Sequence, residues 1–103
     1  MTTKRPSTPS APADLSAEAK RLWQRTLTEY TFNTAADFAL LAELCRATDR
    51  LRDVQASISA TGLTVEGAAG QLRPNPLLAI EDSLRKTILA HVRALRLTGA
   101  AEY

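Results

Sequence analysis

The sequence predicts a mainly α-helical protein: three helices, with a small β-hairpin between the second and the third. Three observations predict it. Apolar residues recur every three or four positions through three separate stretches, the period of a helix with one buried face. Capping residues, glycine and proline mark the ends of those stretches. Between the second and third, the segment GLTVEGAAGQLRP (62–74) loses that period and gains glycines and β-compatible side chains.

Residues 1–13 hold Pro6, Pro9 and Pro12 among Ser, Thr and Ala, with Lys4 and Arg5 as the only charges, so a disordered, extended N-terminal tail is expected. Ser16 then caps a first helix, expected over about 16–31, with Glu18 in its first turn. Ala19, Leu22, Trp23, Thr26, Leu27 and Tyr30 share one of its faces. Trp23 is its expected anchor. A large apolar ring with a single N–H suits packing on the second helix better than exposed base stacking.

The second helix, about 35–60, is the spine. Its seam runs through Leu40, Leu44, Ala47, Leu51, Val54 and Ile58, and Phe38, Leu41 and Cys45 widen it, so other segments and another subunit are expected to contact it. Thr34 is the expected N-cap, with Asp37 three residues on, and Gly62 stops the helix. The short link from Tyr30 to Thr34 makes the first two helices packed neighbours. The pair has the order of a helix-turn-helix, but its second helix is long and opens with Ala35, Ala36, Phe38 and Ala39 rather than with polar side chains.

In the hairpin, about 63–73, Leu63 to Val65 form one strand and Gln71 to Arg73 return as the other. Gly67 and Gly70 have the spacing of a phosphate-cradling loop, but no Lys-Ser/Thr and no helix start follow them, so they are read as turn residues. Such a hairpin is marginal alone and is expected to lean on the helices or on a neighbouring subunit. Asn75 and Pro76 open the third helix, about 76–97, as N-cap and first residue. Its expected buried stripe is Leu77, Ile80, Leu84, Ile88, Val92 and Leu95, and Gly99 ends it. The folded domain is thus 14–98, between the tails 1–13 and 99–103.

At 103 residues, with 45% hydrophobic and 23% charged residues, the chain is one globular domain with a small core. Subunit association is expected to add stability, and Trp23, Leu40, Leu44, Leu51, Ile58, Leu84 and Ile88 are the residues expected to pack the core and the oligomer. The lone Cys45 excludes an internal disulfide and reads as a buried thiol in a reducing cytoplasm. No apolar run approaches the ~20 residues of a membrane span, and the N-terminus lacks the apolar centre of a signal peptide, so a soluble protein without a membrane partner is expected.

Enzyme chemistry is poorly provided for. With one histidine, His91, and one cysteine there is no metal-ligand spacing, and neither a catalytic residue, a metal nor a cofactor is expected. The carboxylates have basic neighbours at helical spacing, as in Glu81–Arg85, Asp82–Lys86, Arg46–Asp49 and Arg50–Asp53, which reads as solvated helix faces. Lys4, Arg5, Lys20, Arg73, Arg93 and Arg96 have no such neighbour and are the candidate DNA-binding residues. Arg93 and Arg96 have a second reading, since cations in a last helical turn complement the macrodipole. A net charge of +2 diagnoses little by itself, but a ring of subunits would multiply a few phosphate contacts.

Residues 13–98 resemble a phage terminase small subunit. The resemblance lies in Leu15-Ser16 with Ala19-Lys20 and Trp23, in Asp37 and Leu41, and in Cys45-Arg46-Ala47 with Arg50. It continues through Gly62-Leu63-Thr64-Val65, Gly70, Arg73-Pro74-Asn75-Pro76 and Leu95-Arg96-Leu97-Thr98. It implies a non-catalytic subunit that forms a homo-oligomeric ring in the host cytoplasm, recognises viral double-stranded DNA and loads or regulates the terminase large subunit, an ATPase and nuclease. The chain departs from the family pattern at Asn75, where members often have His, and at Arg96, where they often have Gly. A helical protein–protein adaptor and a dimeric helix-turn-helix regulator are the alternatives.

Overall fold

The computed structural model describes residues 8–97. The elements follow in the order α1 (Ala17–Glu29), α2 (Ala35–Thr61), β1 (Thr64–Glu66), β2 (Leu72–Pro74) and α3 (Leu77–Ala94). The expected fold class, three helices and a hairpin, is therefore present. Residues 1–7 of the expected tail lie outside the described range, and Thr8 to Ser16 carry no helix or strand.

Local chemistry sets most helix ends. Ser16 is extended, and its Oγ accepts from the Ala19 N–H at 3.1 Å, satisfying a donor that α1 leaves without an internal partner. Thr34 does the same for Asp37 at 3.1 Å, and α2 ends where Gly62 turns to φ 93°. α1 stops short of the expected residue 31 because Tyr30 returns to extended backbone to make the link into α2.

The core is concentrated at one end. Leu15, Ala19 and Trp23 pack with Leu41, Ala42, Leu44, Cys45 and Leu95. Trp23 and Phe38 have ring centroids 6.4 Å apart, and Phe32 meets Phe38 edge-on at 5.9 Å. Leu41 and Cys45 are the fully buried side chains of the spine, whereas Leu40, Leu51 and Ile58 of the expected seam are half-buried. The buried face is rotated because α1 docks on the Leu41–Cys45 side.

From Gly62 the chain enters the antiparallel hairpin, with Thr64 opposite Pro74, Val65 opposite Arg73 and Glu66 opposite Leu72. Gly70 takes φ 82° in its turn, and the Gly67 N–H donates to the Gln71 carbonyl at 2.7 Å, so the two glycines serve the turn. Asn75 fastens the hairpin to both helices. Its Nδ2 donates to Thr61 Oγ1 and to the Gly62 carbonyl, both at 2.8 Å, while its Oδ1 accepts from the Leu77 N–H at 3.0 Å. Pro76 already has helical angles, so Asn75 caps α3 as expected although the regular helix begins one residue later.

α3 returns antiparallel along α2, bringing Leu95 back to Leu41 and Leu44. Here the expectation of a buried stripe needs correction. No residue within α3 is buried, Leu77, Leu84, Ile88 and Val92 are half-buried, and Ile80 is 47% exposed. The reason is architectural: α1 covers only the first half of α2, so the distal halves of α2 and α3 form a two-helix arm without a third layer. The extents of 74 × 35 × 18 Å express that elongation.

The end of α3 also differs from expectation. The Leu97 N–H donates to the Val92 carbonyl and the Arg96 N–H to the Arg93 carbonyl, a Schellman closure with Arg96 at φ 57° where glycine is usual. Gly99 lies outside the described residues and is not what ends the helix.

Candidate nucleic-acid interface

Among the described residues, the sequence-derived cations do not converge on one face. Lys4 and Arg5 lie outside the described residues. Lys20 is half-buried on α1, Arg73 is exposed on β2, and Arg93 and Arg96 are exposed where α3 ends. Arg96 lines a shallow cleft with Tyr30, Phe32 and Asp37, beside the C-terminus of α1. The length of α3, 18 residues or about 27 Å, separates Arg73 from that end.

The other basic residues sort by their partners. Glu81–Arg85 and Asp82–Lys86 pair as expected, at 3.1 and 2.9 Å. Arg46 and Asp49 do not pair with each other. Arg46 binds Asp14 at 2.8 Å and also Glu43, whereas Asp49 accepts from Arg52 at 3.0 Å and from the Ser16 N–H at 2.8 Å and its hydroxyl. Arg50 and Asp53 form no ion pair either. The start of α1 lies close to the middle of α2, so Asp14 and Ser16 reach Arg46 and Asp49, which keep local partners in Glu43 and Arg52 rather than in each other. The guanidinium of Arg46 holds the Asp14 carboxyl below its ordinary value. Partial burial raises Asp49, but Ser16 and Arg52 outweigh it and leave its carboxyl lowered.

One group of cations was hidden by its neighbours in sequence. Arg21 and Arg25 are exposed on α1 and form no ion pair with any described carboxylate, although Glu18 and Glu29 stand at pairing distance along the helix. Gln24 and Thr28 flank them on the same exposed side. Only helical phase, not local charge pairing, would have found this face.

Reactive groups are held quiet. Burial first, then the nearby Asp49, pushes the Cys45 thiol up to about 11, so it stays protonated at neutral pH. His91 Nδ1 lies 2.7 Å from the Thr87 carbonyl one turn back. Among the described residues, no group of three His, Cys, Asp or Glu side chains is placed to hold a metal ion. None of their helices is long and apolar enough to cross a membrane.

The family model described as "Phage terminase, small subunit" matches residues 16–103. The chain belongs to that family. No curated protein and no solved structure matches it. In this terminase small subunit the matched region begins at the N-cap of α1 and takes in all three helices and the hairpin. Asn75 and Arg96 sit at structural joints: Asn75 between hairpin and α3, and Arg96 in the left-handed turn that closes α3.

Proposed function

We propose that this terminase small subunit recognises viral double-stranded DNA and loads or regulates the large-subunit ATPase-nuclease during genome packaging. It does so as a homo-oligomeric ring in the host cytoplasm, without enzymatic activity of its own. Family membership over most of the chain is the observation that carries the reading. The two-helix arm supports the ring. Leu51, Ile58, Leu84 and Ile88 are only half-buried in one copy, and Ile80 and Leu89 are 47% and 46% exposed on the flanks of α3. Further copies would complete their burial. Lys4, Arg5, Lys20, Arg73, Arg93 and Arg96 then contribute phosphate contacts, weak singly and strong when repeated around a ring.

Light scattering at several protein concentrations, combined with titration of a duplex DNA at several salt concentrations, tests the reading. A mass of many subunits and salt-sensitive binding are expected. A monomer indifferent to DNA and to a packaging nuclease overturns it, and a dimer that binds paired half-sites points instead to a regulator.

A further inference from the structure

DNA recognition by a helix pair ordinarily falls to the second helix, set in the major groove. The exposed surface of α2 argues against that here. Across its first three turns the exposed residues are Ala35, Ala36, Ala39 and Glu43, which offer no side-chain hydrogen-bond donor and one negative charge. Farther along, Arg46 and Arg52 are engaged by Asp14, Glu43 and Asp49, and Arg50, exposed and without an ion pair among the described residues, stands between the carboxylates Asp49 and Asp53 in sequence. On α3, Arg85 and Lys86 are likewise engaged by Glu81 and Asp82, which leaves Arg93, in the last turn, as the exposed cation of that helix without an ion pair among the described residues.

α1 has the opposite character. Ala19, Trp23 and Thr26 turn into the protein, and the solvent side presents Arg21, Gln24 and Arg25, followed by Thr28, whose hydroxyl donates to the Gln24 carbonyl at 2.8 Å. From Arg21 to Thr28 the helix rises about 10.5 Å, the length of about three base pairs. The major groove, about 12 Å wide, admits a helix, and Arg and Gln are the side chains that bond guanine and adenine edges bidentately there. Glu18 and Glu29 stand at the two ends of this face rather than between its donors, and Glu18 occupies the first turn, where the helix dipole favours it.

Resting on the DNA-recognition reading above, we infer that α1, not α2, is the helix that enters the major groove of double-stranded DNA. Arg21 and Arg25 contact phosphate or guanine and Gln24 reads a base edge. The hydrogen bonds from Ser16 to Asp49 and the packing of Trp23 on Phe38 fix the orientation of this helix on the body of the protein.

The test uses the full chain and a fluorescein-labelled 30-base-pair duplex of random sequence, titrated by anisotropy from 50 to 200 mM salt. The double variant Arg21→Ala/Arg25→Ala is expected to bind at least ~10-fold more weakly, with the slope of log K against log salt smaller by about 1.8. The charge-matched control Arg52→Ala/Arg85→Ala removes cations that already have partners and is expected to bind as wild type. Circular dichroism melts confirm that each variant folds. Gln24→Ala is expected to keep the wild-type salt slope but to lose preference at one position among duplexes selected from a randomised pool.

If wild type binds and the Arg21/Arg25 variant binds equally well, the inference falls and the DNA-recognition reading survives. Equal loss in the control overturns it as well, because net charge then explains the effect. Unchanged sequence preference in Gln24→Ala overturns groove entry. Absence of wild-type binding removes the reading and the inference together.

Discussion

The Tyr30 hydroxyl donates to the Leu97 carbonyl at 2.8 Å, joining the end of α1 to the turn that follows α3 across 67 residues of sequence. Leu97 is also packed against the core, so this turn is held from two sides. Tyr30→Phe removes one hydrogen bond and leaves the ring in place. A loss of about 1 kcal/mol is expected, read as a lower urea midpoint at unchanged m-value.

Arg96 sits inside that held turn with φ 57°. A side chain in the left-handed region costs about 1–2 kcal/mol relative to glycine. Arg96→Gly is therefore expected to raise the melting temperature by several degrees. Arg96→Ala, which keeps the Cβ, is expected to leave it near wild type.

Asn75 is buried and uses both ends of its amide. Asn75→Ala leaves the Gly62 carbonyl and the Leu77 N–H without this partner, at a cost of about 1–3 kcal/mol. Hydrogen exchange is expected to quicken first in β1, β2 and the opening turn of α3, while α1 stays protected.

Asp14 and Asp49 are both held below their ordinary carboxylate values in the fold. Such groups favour the folded state above their unfolded pKa, about 4, and that contribution is lost as pH falls through the lower folded value. Acid titration below about pH 4 is therefore expected to loosen the docking of α1 on α2, seen as increased Trp23 fluorescence change ahead of global unfolding. Asp49→Asn is expected to flatten this acid limb.

The parts of the fold that were legible in the sequence are those set by neighbours along the chain. Ser16, Thr34 and Asn75 each cap a backbone N–H two or three residues on, and Gly62 closes its helix on Ile58 four residues back, so the starts of all three helices and the end of the second could be read directly. The end of α3 could not, because Arg96 takes its conformation in a turn tied down by Tyr30 from another helix. The ion pairs divide in the same way. Glu81–Arg85 is local and legible, whereas Arg46 turns to Asp14, 32 residues away. At the candidate site Glu18 and Glu29 stand at helical spacing from Arg21 and Arg25, yet such spacing permits a pair without requiring one.

On the ring reading proposed above, the uncovered flank of the distal arm couples folding to the meeting of copies. Dilution should act on this part of the molecule as a mild denaturant: the melting temperature rises with protein concentration. Amides around Val54 to Ile58 and Leu77 to Leu84 should exchange faster in dilute samples, while those around Leu41 and Cys45 keep their protection.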